Sequence, residues 1–127
     1  MSLKAARDAL ALGAASVINI KAGRVGGYLE AVRIHDLCGD AGVPVWCGGM
    51  LETGIGRAAN AALAALPGFT LPGDVSASNR FYAQDIVTEP IVLEDGHVRV
   101  PTGPGLGVEI DEVALEQATV RRVELRR

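Results

Sequence analysis

The sequence lacks three features that would each assign the chain to a broad class of proteins. No uncharged run in its 127 residues reaches the roughly 20 that a membrane-spanning helix needs. Its only cysteines, Cys38 and Cys47, do not have the spacing of metal ligands. Charged residues stand near the start, where a signal peptide has its apolar segment. We therefore expect a soluble, cytoplasmic protein without a membrane partner, in which both cysteines are reduced and buried.

An excess of positive charge is also missing. The chain has 12 Lys and Arg against 15 Asp and Glu, a net charge of −3. Its basic residues are scattered, apart from four arginines near the C-terminus: Arg121, Arg122, Arg126 and Arg127. Proteins that bind nucleic-acid backbones concentrate such residues on one face. The charge pattern therefore argues against nucleic acid as a partner.

The sequence does contain a repeated alternation of short apolar runs and helical patterns. Apolar runs occur at residues 17–20, 43–46 and 69–71, about 25 residues apart. Amphipathic or alanine-rich segments, which predict helices, cover residues 3–12, 28–41 and 55–66. Strands without polar alternation, with helices between them, are typical of a parallel sheet with right-handed crossovers. The predicted fold class is therefore α/β.

The last third of the chain has a different pattern. Residues 91–93 and 97–100 flank the turn sequence EDG, which predicts a β-hairpin. Asp111 is expected to cap a short helix through Ala118, and residues 119–125 are expected to form a final strand. We therefore divide the chain into residues 1–87, which carry the α/β pattern, and a C-terminal tail at residues 88–127.

Lys21 follows the first predicted strand directly, at the edge of the sheet where parallel α/β folds collect their chemistry. Taken alone, a lysine at such a position is more often a solvated surface lysine. The glycines after it, Gly23, Gly26 and Gly27, could form a phosphate cradle, but the string is not G-x-G-x-x-G. We interpret them as turn glycines.

The number of strand-helix units is too small for a closed barrel. An eight-unit barrel needs about 250 residues, and this chain contains about three units. Three parallel strands alone would leave unpaired edges and an uncovered apolar face. We therefore expect either self-association or a complementing N-terminal segment as the partner.

Several strings in order resemble the C-terminal part of the enolase superfamily. They are NIKAGRVGG at residues 19–27, PVWCGGMLETG at 44–54, LPGD at 71–74 and PTGPGLG at 101–107. The resemblance is greatest to the o-succinylbenzoate synthase and N-acylamino acid racemase branch of the muconate lactonizing subgroup. It implies that residues 1–87 supply the sixth to eighth strands of an enolase-type (β/α) barrel. Residues 88–127 would then return toward a capping domain.

The resemblance also implies a set of site residues. Lys21 matches the family's catalytic lysine, Gly49, Met50 and Leu51 match a loop that lines the substrate, and Phe81 matches an aromatic wall of the same pocket. Without the resemblance, Met50 and Phe81 could be core residues. In the complete enzyme the cofactor would be Mg²⁺, held by carboxylates on strands that this chain does not contain. No metal ligand is therefore assigned here, and Glu52 and Asp74 are expected to act as hydrogen-bonding groups.

By the same resemblance, the expected chemistry is proton removal next to the carboxylate of a small-molecule substrate. The resulting enolate needs a cation to stabilise it, and a lysine at the barrel mouth can supply one. The implied reactions are the dehydration that forms o-succinylbenzoate in menaquinone biosynthesis, racemisation of N-acylamino acids, or both. The isolated chain is expected to be inactive. The alternative is a non-catalytic α/β module that binds a phosphate ligand or associates with itself.

Overall fold

The computed structural model describes residues 2–125. Within them the helices are α1 (Leu3–Ala11), α2 (Ala22–Val25), α3 (Tyr28–Asp40), α4 (Gly54–Ala64) and α5 (Glu112–Ala118), with a 3-10 turn at Ser78–Arg80. The strands are β1 (Ile18–Ile20), β2 (Val45–Cys47), β3 (Leu93–Glu94) and β4 (His97–Val98). β1 and β2 are parallel, with Ile18 opposite Val45 and Ile20 opposite Cys47, and α3 connects them. The predicted α/β class and the parallel crossover are confirmed.

The predicted helices are confirmed to within two residues at each end. The Asp111 side chain accepts hydrogen bonds from the backbone N–H groups of Val113 and Ala114 and so caps α5 as expected. The short helix α2 was not predicted, because its four residues are too few to show a helical pattern. No helix in the described part of the chain is both long and apolar enough to cross a membrane.

The strands bury alternate residues, which contradicts the expectation of strands without alternation. Ile18, Ile20, Val45 and Cys47 are buried, whereas the residues between them, such as Trp46, are half-buried. The buried side chains pack against helices on one face of the sheet in a single core, which also includes Ile34, Cys38 and Leu63. Both cysteines are buried free thiols, as predicted.

The predicted third strand, residues 69–71, is wrong in the structure. The N–H groups of Phe69 and Thr70 donate to Leu66 and Gly68 in local turns, so they are not available to a neighbouring strand. Phe69 instead stacks on His35 of α3, with ring centroids 5.1 Å apart. The segment is hydrogen bonded to the sheet beyond this point, where Asp74 N donates to Cys47 O at 2.8 Å. The sheet at the centre of the fold therefore has two strands.

The tail is partly as expected. The hairpin of β3 and β4 forms, with Asp95 and Gly96 at positive φ in its turn. The final strand predicted at residues 119–125 is wrong, because these residues form no ladder and are exposed. Val87 forms an isolated antiparallel bridge with Ile110, so the segments on either side of the predicted boundary are hydrogen bonded. The division after residue 87 stays a prediction.

The beginning of α4 depends on a carboxylate that lies 31 positions away in the sequence. Asp85 Oδ1 accepts from Gly54 N at 2.8 Å, whereas the adjacent Thr53 side chain makes no capping bond. Burial acts to raise the pKa of the Asp85 carboxyl. Hydrogen bonds from the Ser78 side chain and two backbone N–H groups outweigh it, and the Arg57 charge acts in the same direction, so the pKa lies below its usual value. The ionised carboxylate therefore stabilises the fold.

Asp85→Asn should lower the free energy of unfolding at pH 7 by roughly 1.5–3 kcal/mol, because hydrogen bonds to a buried charge are replaced by bonds to a neutral amide. Since the folded pKa lies below that of unfolded Asp, about 3.9, the contribution is present above that pH and is lost as pH falls through the folded value. Urea denaturation at pH 7 and pH 3 measures both effects. The control is Asp40→Asn, at the exposed end of α3. Equal losses in the two variants at pH 7 would contradict the role of Asp85.

Candidate active site at the carboxyl ends of the strands

Lys21 lies immediately after β1, and its side chain lies at the carboxyl ends of the two parallel strands. Its backbone is still extended, at φ −111° and ψ 106°, and it is two residues beyond Asn19. Residues two apart on an extended chain have side chains on the same face, so Lys21 and Asn19 share the face opposite the core. Lys21 Nζ donates to Gly49 O at 2.6 Å, across the gap between the ends of β1 and β2. The ammonium is thus held at the sheet edge that the sequence predicted.

Two glycines after β2 make this close approach possible. A Cβ at Gly48 would collide with Asn19 Oδ1 and would lie 2.7 Å from Lys21 Cε. A Cβ at Gly49 would collide with the backbone carbonyl oxygen of Asp74. The loop after β2 therefore fits between the Lys21 side chain and residue 74 only because both positions lack a side chain.

A cavity of about 220 Å³ opens at this edge. It is lined by Lys21, Arg24, Gly49, Met50, Leu51, Asp74, Ser76 and Phe81. The five residues predicted as site residues from the sequence are all in this set, and their individual roles remain predictions. Met50 and Phe81 are each 42% exposed, so their interpretation as core residues is wrong. The cavity combines one ammonium group with exposed apolar side chains.

Two hydrogen bonds hold the backbone at Met50 and Leu51, whose side chains form part of the apolar lining of the cavity. Glu52 Oε2 accepts from Met50 N at 2.7 Å, which confirms the hydrogen-bonding role expected of Glu52. Tyr82 Oη donates to Leu51 O at 2.7 Å. The Glu52 bond lies within the loop after β2, and the Tyr82 bond joins that loop to the segment that carries Phe81. The cavity wall is therefore continuous across two separate parts of the chain.

The described residues do not fit a magnesium ion. Between residues 2 and 125, no three His, Cys, Asp or Glu side chains are grouped so that they could hold a metal. Glu52 is already engaged by Met50 N, and a hard cation needs several oxygen ligands that converge on one point. A metal site built from Glu52 and Asp74 is therefore not supported.

The glycines that follow Lys21 act in a turn. Gly26 and Gly27 have φ of 101° and 114°, values that favour glycine, and they redirect the chain from α2 into α3. α2 has only four residues, so the phosphate-cradle interpretation has no support from this geometry. Arg24, which lies in α2, lines the cavity.

Sequence reasoning missed polar residues in and against α4, namely Arg57 and Asn60 in the helix and Tyr28 beside it. Arg57 is 1% exposed and Asn60 is 3% exposed, and Tyr28 Oη donates to Asn60 Oδ1 at 2.9 Å. Burial, followed by the charges of Glu52 and Cys47, raises the pKa of the Tyr28 hydroxyl. A signal was present in the sequence, since two polar residues stand three apart in an alanine-rich helix and so lie on one face.

Cys47, whose thiol interacts with the Tyr28 hydroxyl, stays protonated at neutral pH and so does not act as a nucleophile. Burial and the charge of Glu52 raise the pKa of Cys47 to about 11, against the opposing effect of Lys21. Its Sγ donates to Asn60 O at 3.7 Å. Cys47 therefore serves as a packing residue between β2 and α4.

Comparison with known proteins identifies the family. A family profile described as "Enolase C-terminal domain-like" matches residues 1–114. The chain belongs to the enolase superfamily. It is 63% identical over 123 residues to an N-succinylamino acid racemase of Amycolatopsis sp., covering 97% of this chain and 33% of the relative. It is 54% identical over 114 residues to an o-succinylbenzoate synthase of Geobacillus kaustophilus, covering 90% and 30%.

Solved structures agree with this assignment. A member of the enolase superfamily from Listeria innocua superposes with a TM-score of 0.88 at 48% identity, over 91% of this chain and 31% of that one. The resemblance to the C-terminal part of the family, and to its synthase and racemase branch, is therefore confirmed. The chain spans about a third of the length of the curated relatives that it matches.

Gly49→Ala should disrupt the site, because the new Cβ would collide with the Asp74 carbonyl and push apart the two segments that form the cavity wall. Overpacking of this kind typically costs about 1–3 kcal/mol. Gly39→Ala is the matched control, since it lies in α3 with no atom within 4 Å of its added Cβ and should be neutral or slightly stabilising. Thermal denaturation of both variants measures the difference. A Gly49→Ala protein as stable as Gly39→Ala would show that the loop has room for a side chain.

Proposed function

We propose that this chain supplies the catalytic lysine and the apolar lining of the acyl-binding pocket of an enzyme that forms an enolate from a small carboxylate substrate. The observation that carries the proposal is the position of Lys21 Nζ, 2.6 Å from Gly49 O, in a cavity with exposed apolar side chains. An ammonium fixed at a strand end is suited to stabilise a developing enolate or to exchange a proton with the α-carbon. The apolar wall is suited to an acyl or aryl group.

Two reactions of this kind are proposed, namely formation of o-succinylbenzoate and racemisation of N-succinylamino acids. The support is the identity of 63% to a racemase and 54% to a synthase over nearly the same residues. Both reactions begin by removing a proton next to a carboxylate. In dehydration Lys21 would stabilise the enolate, and in racemisation it would deliver or remove a proton on one face. The same side chain can therefore serve either reaction.

The proposal also includes a partner and a cofactor from outside this chain. By resemblance, Mg²⁺ would be held by carboxylates on strands that precede this segment, and it would take up charge on the substrate carboxylate. Among the described residues β1 is paired only with β2, so its other edge can accept a strand. We propose that a complementing N-terminal segment, or a second copy of the chain, covers this edge, and that the 127 residues alone are inactive.

The test is a chimera in which this chain replaces the matching C-terminal third of the Amycolatopsis racemase. The chimera should racemise an N-succinylamino acid and dehydrate the precursor of o-succinylbenzoate. Lys21→Ala should lower turnover by at least about 10² to 10⁴, the contribution of a positioned acid-base group, with folding nearly intact. Lys21→Arg should also fail, because a planar guanidinium does not replace a compact ammonium and stays protonated.

Lys4→Ala is the matched control, since Lys4 is the only other lysine in the chain and its side chain is 82% exposed in a surface pair with Asp8. It should keep wild-type rates. Wild-type rates in Lys21→Ala would end the catalytic assignment. Loss of racemisation with partial retention of dehydration would indicate that Lys21 acts through its charge and not as the base.

A further inference from the structure

The largest fully buried side chain in the fold belongs to an arginine, Arg57, in the first turns of α4. It is 1% exposed, and its Nη1 donates to both Ser76 O at 2.7 Å and Ser76 Oγ at 2.6 Å. Its Nε and Nη2 have no hydrogen-bond partner among the described residues. Burial of a guanidinium with unpaired donors is unfavourable for stability. The Arg57 charge also favours the ionised form of Asp85, but the hydrogen bonds of its guanidinium go to Ser76 at the cavity.

Arg57 contacts two separate residues of the cavity wall. Ser76 and Phe81 both line the cavity, and the Arg57 guanidinium carbon lies 5.3 Å from the centroid of the Phe81 ring. This distance is within the range of a cation–π interaction. The segment that carries Ser76 and Phe81 has no strand pairing with β1 or β2. The guanidinium therefore supplies a connection from α4 to this segment that a β-ladder would otherwise provide.

We propose that Arg57 is a positioning residue that determines which acyl groups the site accepts. It acts through Ser76 and Phe81, which we call the acyl wall, and fixes their distance from Lys21 on the other side of the cavity. The inference rests on the proposed function for its substrate class, an N-acylamino acid with an extended acyl chain. Arg57 itself is buried behind the wall and does not line the cavity.

The kinetic test uses the chimera described above and compares an N-succinylamino acid with its N-acetyl analogue. Arg57→Met should raise KM for the N-succinyl substrate about tenfold and reduce its preference over the N-acetyl substrate by a similar factor. kcat should remain within a few-fold, because Lys21 is untouched. Arg57→Lys keeps the charge but replaces the planar guanidinium, which contacts Ser76 through Nη1 and lies near the Phe81 ring, with a compact ammonium, and should give an intermediate shift. Arg33→Met, an exposed arginine on α3, is the control.

A merely structural role predicts a different result. Loss of folded enzyme would lower the apparent kcat by the same factor for both substrates and leave each KM unchanged. That outcome in Arg57→Lys, which keeps the stem and charge, would overturn the proposal even if Arg57→Met fails to fold. Ser76→Ala removes Oγ, one of the two acceptors of Arg57 Nη1, and should shift KM in the same direction as Arg57→Lys. An unchanged KM in both of these variants would likewise overturn it.

A second readout does not depend on activity. This chain contributes two phenylalanines to the chimera, Phe69 and Phe81, so labelling with 4-fluorophenylalanine adds two ¹⁹F resonances, each identified by its loss in the corresponding Phe→Leu variant. Arg57→Lys should shift the Phe81 resonance and leave that of Phe69, which stacks on His35, in place. If the wild-type chimera is inactive but this shift is seen, the proposed function fails and the positioning role stands. If the chimera is active and the Phe81 resonance does not move, the positioning role fails.

Discussion

The parallel register of β1 on β2 is the constraint on which the candidate site depends. Ile20 lies opposite Cys47, and the ladder continues by one bond from Gly48 N to Ile20 O at 2.9 Å. Lys21 and the two glycines after β2 therefore leave the sheet at the same edge. A slip of one residue would turn Lys21 toward the helices, because side chains alternate between the faces of a strand. The ammonium would then lie in the apolar core and not in the cavity.

The far side of the cavity is held in a different way. Its residues follow a segment without strand pairing, and they are fixed by side-chain hydrogen bonds that join this segment to α4 and to the loop after β2. Arg57 binds Ser76, Tyr82 binds Leu51, and Asp85 binds the first N–H group of α4. Each of these bonds joins residues that are at least 19 positions apart. One wall of the site is thus set by the backbone ladder and the other by individual side-chain hydrogen bonds.

This difference explains how much of the molecule could be predicted from its sequence. Helices and the first two strands are visible because their apolar patterns are local, and Lys21 stands out because it ends an apolar run. The prediction of a third strand was wrong because the N–H groups of Phe69 and Thr70 donate to residues only three and two positions earlier. Composition does not reveal such local turns. Arg57 and Asp85 were missed since their partners are distant in sequence. The cavity residues were found through the motif that they share with a family, and not through any periodicity.

The two sides of the cavity, one held by the β-ladder and one by side-chain hydrogen bonds, differ in how easily an amino acid replacement moves them. Moving Lys21 relative to Gly49 requires a shift of the paired strands, which would disturb the core packed beneath them. Moving Phe81 requires only a change in the few side chains that hold its segment, such as Arg57 of α4 and Tyr82. The position of the Phe81 ring can consequently change by single substitutions, while the geometry of Lys21 at the ends of the strands is kept. Relatives named as a racemase and as a synthase, which match this chain over nearly the same residues, are consistent with such an arrangement.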